Sequence, residues 1–106
     1  MTIRRAVEAD VPELVARGER FVAATPYRDH LVVSPPHLAA TMRHLIASPT
    51  GALFVAAGAA GDVVGMIGLH VFEHPYSGDR VAAELFWWVE PGRRGRVGLW
   101  LLRQAE

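Results

Sequence analysis

The chain has 106 residues, about half of them apolar, with 11 basic and 11 acidic side chains in balance. That length supports one domain with a real core, at the small end for an enzyme, and a formal net charge of zero argues against a nucleic-acid binder relying on a broad basic surface. Cysteine is absent, which excludes disulfides, thiolate metal sites and a cysteine nucleophile.

All the basic residues are arginine, as codon usage in a GC-rich genome would produce. The longest apolar runs fall short of a membrane span. The N-terminal Met1-Thr-Ile-Arg-Arg5 enters a charged segment rather than a signal-peptide apolar core. The expectation is a cytoplasmic protein with no membrane partner.

Thr2–Ala6 reads as a short first strand. Asp10-Val-Pro-Glu13 reads as a helix start, with Asp10 as N-cap, Pro12 in the first turn and Glu13 completing a capping box. Val11, Leu14, Val15, Phe21 and Val22 carry that helix to about Ala24, and Thr25–His30 breaks it. Ser34-Pro35 is a second N-cap with proline at the first helical position, opening a helix through Leu38, Met42, Leu45 and Ile46. Ser48-Pro49-Thr50-Gly51 ends it. Leu53–Ala57 and Val63–Phe72, separated by Gly58-Ala-Ala-Gly61-Asp62, predict an antiparallel hairpin. The polar loop Glu73–Arg80 leads to a strand over Val81–Val89, and a third helix starts near Gly95. Hairpins mixed with helices predict an α+β fold, a mixed but mostly antiparallel sheet flanked by helices.

Residues 84–102 form a strand, a Gly/Arg-rich turn and a helix start. Glycines 92, 95 and 98 let the backbone turn tightly and approach a ligand. The first N–H groups of a helix lack intrahelical partners and carry partial positive charge, which suits a diphosphate. Arg93, Arg94 and Arg96 add charge-assisted donors. A solvated turn has the same composition, so the motif alone leaves both readings open.

The segment Val89-x-Pro91-x-x-Arg94-Gly95-x-x-Gly98, after a strand carrying Glu84 and before a Leu-rich helix, resembles the acetyl-CoA-binding motif of the GCN5-related N-acetyltransferase family. The preceding order of strand, two helices, hairpin and strand is similar to that family's N-terminal part, so the resemblance covers essentially the whole chain. It implies a fold of the acyl-CoA N-acyltransferase type, acetyl-CoA as co-substrate, no metal, and an amine-bearing acceptor attacked directly. The implied cofactor contacts are the backbone of Trp87, Trp88 and Val89 along the pantetheine arm. Backbone amides of Arg94, Gly95, Arg96, Val97, Gly98 and Leu99 would hold the pyrophosphate. The turn departs from the family's usual Arg-Gly-x-Gly-x-Gly or Gln-x-x-Gly-x-Gly by one residue, which shifts the register of that cradle.

Glu84 is the candidate catalytic base. An amine acceptor, with a free pKa of roughly 10, must lose a proton around its attack on the thioester, and a nearby carboxylate supplies that step. Glu84 interrupts an otherwise apolar run and sits where the family often places its base. A carboxylate at a solvated strand start, or one paired with Arg80 or another arginine, is the other reading. Glu73, His70 and His74 are secondary candidates. His70-x-x-x-His74 and the His37/His44 pair lack the further ligands a metal needs. Trp87 and Trp88 point to opposite faces of a strand and read as core rather than as a base-stacking platform. Tyr27–His30 lies where the family often forms one wall of the acceptor site, or else is an ordinary connection.

In the family another strand follows the third helix, diverging from the motif strand, and later elements complete the acceptor site. Residues 1–106 therefore read as a single, truncated N-acetyltransferase domain, with an open strand edge that a homodimer could cover. The competing expectation is a non-catalytic CoA-binding or partner-binding module lacking the acceptor half.

Overall fold

The apolar runs Leu53–Ala57 and Val63–Leu69 are buried on both faces, as strands at the centre of a covered sheet must be. The computed structural model describes residues 2–90. In chain order it contains β1 (Thr2–Arg5), α1 (Val11–Ala23), α2 (Pro35–Ala47), β2 (Gly51–Ala57), β3 (Val63–Glu73) and β4 (Arg80–Val89). Single 3-10 turns occupy Glu8–Asp10 and Pro26–Asp29. The sheet order is β1-β2-β3-β4, with every described pairing antiparallel. The expected α+β class and the β2–β3 hairpin are both observed.

Helix α1 buries Val11, Leu14, Val15 and Gly18, a single stripe at helical spacing. Helix α2 adds Met42 and Leu45. These meet Leu53, Val55, Met66 and Trp88 from one sheet face to form the main core. Burying a Leu, Val or Met side chain contributes about 1.5–3 kcal/mol each. The alternate residues Phe54, Ile67 and Leu69 form a second cluster on the other face. Gly18 lets the helices approach closely, since a Cβ there would lie 3.1 Å from Leu38 Cδ2.

The two helix starts differ from one another. At α2 the Ser34 hydroxyl accepts from the His37 N–H at 3.3 Å, with proline at the first position, as its residues predict. At α1 the predicted capping box does not form: Asp10 has helical φ and ψ, and its side chain makes no cap bond to the helix. Its carboxylate instead receives the Arg4 guanidinium at 2.7 and 2.8 Å and the Val7 N–H at 2.8 Å. A bidentate charged partner outcompetes a neutral backbone donor. Glu13 turns to Arg17.

The Arg4 hydrogen bond is the main reason that Asp10 is held below its ordinary carboxylate pKa, with the Val7 N–H adding to it against partial burial. A group depressed in the folded state contributes stability that is complete above its unfolded pKa, about 4. That contribution is lost as pH falls through the folded value. Asp10→Asn is therefore expected to cost about 1 kcal/mol at neutral pH. The deficit should shrink toward zero in acid, when urea melts of the two proteins are compared from pH 7 down to pH 2. A deficit independent of pH would remove the ion pair as its cause.

Candidate active site

In the described residues β4 pairs with β3 on one side and has no strand on the other. The Glu90 N–H donates to the Val64 carbonyl at 2.8 Å, and Trp88 stands opposite Met66. These fix the alternation along the strand: Phe86, Trp88 and Glu90 turn their backbone groups toward β3, while Trp87 and Val89 present theirs to the open edge. Of the three residues expected to offer backbone groups to a ligand, two have them on that edge. Trp88 contributes its side chain instead.

A β-bulge interrupts this strand. Gly68 pairs with Phe86 and Leu69 with Glu84, leaving Leu85 without a register partner. The Phe86 ring lies over Gly68, where a Cβ would come within 2.4 Å of Phe86 Cε2, so only glycine leaves room for it. Leu69 belongs to the cluster on the face away from the helices, and the register sets Glu84 beside it.

Beside the bulge runs a groove of about 620 Å³, between the open edge of β4 and a wall made by α1, the connection after it and the start of α2. Such a volume falls in the ligand-pocket range. Phe21, Leu38, Phe86 and Trp88 line it on the helix side. Tyr27, Leu31 and Val33 come from the connection, so the segment expected as one wall of an acceptor site does border a cavity. Ser34, His37 and Thr41 are its polar residues on the α2 side, and Glu84 borders it at the strand edge, where the register turns its side chain to the far face. Glu84 is exposed and enters none of the ion pairs formed among the described residues. The alternative pairing with Arg80 is not formed.

The adjoining tryptophans differ. Trp88 is 4% exposed and stacks on Phe21 with ring centroids 6.5 Å apart. Its indole N–H is buried without an acceptor among the described residues. Trp87, on the opposite face, is 36% exposed, which corrects the expectation that both are core. It sits opposite Ile67 near a sheet edge rather than under the helices. At the end of β4 the Glu90 carboxylate receives both Arg17 and Arg20 of α1, tying that helix to the strand. Desolvation of Arg17 opposes its charge, but the hydrogen bond it donates to Glu90 and the nearby carboxylates hold its pKa above the ordinary value.

The secondary candidates lie elsewhere. Glu73 ends β3, His70 stacks on Phe72 at 6.3 Å, and His74 Nδ1 accepts the Tyr76 N–H at 3.1 Å. Among the described residues no three His, Asp or Glu side chains gather into a metal-sized cluster. No helix there is long and apolar enough to cross a membrane. Arg94, Gly95, Arg96, Val97, Gly98, Leu99 and the helix predicted near Gly95 lie outside the described residues. Sequence reasoning missed the groove's apolar wall, above all Leu31, Val33, Leu38 and Phe86. The one available signal was Leu31-Val32-Val33, an apolar triplet in a connection, with Leu31 46% and Val32 95% exposed.

Comparison with known proteins agrees with this architecture. The structure of a probable acetyltransferase superposes with a TM-score of 0.77 at 18% identity, over 99% of this chain and 68% of that one. The apo aminoglycoside antibiotic 6'-N-acetyltransferase from Acinetobacter haemolyticus gives 0.74 at 21%, over 99% and 68%. A tetramutant of the BH1408 protein from Bacillus halodurans gives 0.81 at 16%, over 99% and 72%. At such identities the likeness speaks for the fold. No curated protein matches the chain. A sequence model described as the acetyltransferase (GNAT) family matches residues 20–106. Most of the chain, including β4 and the sequence that follows it, is therefore accounted for by one family, and the protein belongs to the GNAT acetyltransferases.

Proposed function

We propose that this chain transfers an acetyl group from acetyl-CoA to an amine, with Glu84 as general base. The observation that carries the reading is the edge of β4, unpaired among the described residues, beside a groove that Glu84 borders. The outward N–H and C=O groups of Trp87 and Val89 suit the amides of an extended pantetheine arm, which would add to the sheet as a further strand does. The proposed pyrophosphate cradle, the backbone amides of Arg94 to Leu99, rests on the sequence motif alone.

Acetyl-CoA, when bound, supplies a thioester carbonyl at the strand edge. Glu84, directly or through a water, takes one proton from the acceptor's ammonium group. The freed nitrogen lone pair then forms the C–N bond. The C–S bond breaks and its electron pair leaves with sulfur, which takes the nitrogen's second surplus proton. No covalent enzyme intermediate is needed, in keeping with a chain that has no cysteine.

The test is a titration of the purified chain with acetyl-CoA, followed by a thiol-release assay across primary amines. Saturable binding together with amine-dependent release of CoA is the expected result. Binding without turnover on any amine would leave a CoA-binding module, the competing reading. No binding at all would overturn both.

A further inference from the structure

Just past β4 lies a charged cluster that the acetyl-transfer chemistry does not use. One oxygen of the Glu90 carboxylate, Oε1, receives Arg17 Nη1 at 2.5 Å and Arg20 Nη2 at 3.1 Å, both from α1. Arg17 also reaches Glu13 at 3.5 Å. The Glu90 N–H is committed to the Val64 carbonyl at 2.8 Å. Pro91 follows, and it has no N–H with which to extend the pairing. Glu90 is thus held at its backbone by β3 and at its side chain by α1, immediately before the Gly/Arg-rich segment.

We propose that Glu90 is a positioning residue for the diphosphate end of the cofactor. Clamped by Arg17 and Arg20, it fixes the point and direction at which the chain enters the segment whose amides hold the pyrophosphate. This rests on reading that segment, Arg94 to Leu99, as the pyrophosphate cradle.

A backbone cradle works by placement. Its N–H groups must converge on one set of oxygens, so a small shift of the entering chain weakens several bonds together. The residue before a proline is restricted to extended backbone, and proline fixes its own φ. An anchor at Glu90 is therefore passed onward with few torsions free to absorb it. The other end of the clamp is firm as well, because α1 buries Val11, Leu14 and Val15 in the core. Arg17 is the better shielded of the two donors, its side chain 22% exposed against 65% for Arg20, so its bond is screened less by solvent.

Simple electrostatics gives the opposite expectation. A carboxylate near a polyphosphate ligand repels it, so removing that charge should tighten binding. The sign of the change separates the two accounts.

The experiment compares wild type, Glu90→Ala and Glu90→Gln, with calorimetric titration of acetyl-CoA and NMR titration of S-acetylpantetheine, which lacks the diphosphate and nucleotide. Both readouts are of binding, so the test stands apart from catalysis. Glu90→Ala is expected to weaken acetyl-CoA about tenfold. Glu90→Gln, whose amide oxygen still accepts from one arginine, should weaken it about threefold. Affinity for S-acetylpantetheine should stay within about twofold in both, because its contacts are with the edge of β4.

Unchanged or tighter acetyl-CoA binding in both variants overturns the inference and leaves the transferase reading standing. Equal losses for the two ligands mean a general loosening of the strand, which also overturns it. If Glu90→Ala does not fold, the direction of the Glu90→Gln change decides. A wild-type chain that binds no acetyl-CoA removes the cofactor reading and this inference with it.

Discussion

Glu84→Gln is expected to lower kcat by about 10²–10³-fold while leaving acetyl-CoA affinity within about twofold of wild type. The substitution keeps the size and hydrogen-bonding capacity of the side chain and removes its ability to take a proton. Glu84 is solvent-exposed and enters no ion pair among the described residues, so its loss should not disturb packing. Thermal melts of the two proteins should coincide within a few degrees. The loss in kcat should also diminish at high pH, where the amine arrives already deprotonated. Steady-state kinetics from pH 6 to pH 10 would check this. Unchanged turnover across that range would end the assignment of Glu84 as base.

The largest structural effect is expected at a position remote from the chemistry. Gly51 opens β2 just after α2, and a Cβ there would lie 2.8 Å from Leu45 Cα, 2.9 Å from its carbonyl oxygen and 3.1 Å from its Cδ2. Two of those three atoms are backbone of a helix whose Leu45 is itself buried in the core, so neither side can yield without moving α2. Gly51→Ala should cost about 2–3 kcal/mol and lower Tm by roughly 10–20 °C for a domain of this size. Circular dichroism melts decide it. A shift under a few degrees would mean that α2 slides freely on the sheet.

Sequence and fold agree where the determinants are local. Ser34 and Pro35 carry their own instructions for starting α2, and the apolar runs at 53–57 and 63–72 are long and β-branched enough to commit to strands. Asp10 has equally good credentials as a cap, yet its carboxylate is taken by Arg4, brought near by the turn after β1. That is tertiary competition, which a local pattern does not register. The alternation rule placed Trp87 and Trp88 on opposite faces correctly, but it does not say how well each face is covered. The groove was hardest to foresee, because its wall is assembled from separate elements, with Leu31 and Leu38 far from Phe86 in the chain. The base candidate, Glu84, was legible as a charge interrupting an apolar strand.

The unpaired Leu85 makes β4 behave as two strips with independent phase. Removing a residue remote from the bulge would turn over the stretch between the deletion and the bulge, sending its buried side chains outward and its exposed ones in. Removing Leu85 alone would let Glu84 follow directly before Phe86 with every cross-strand pair kept, from Glu73 opposite Arg80 to Gly65 opposite Val89. Leu85 is thus the interior position where this strand tolerates a change of length, and substitutions on either side of it belong to separate reading frames of burial.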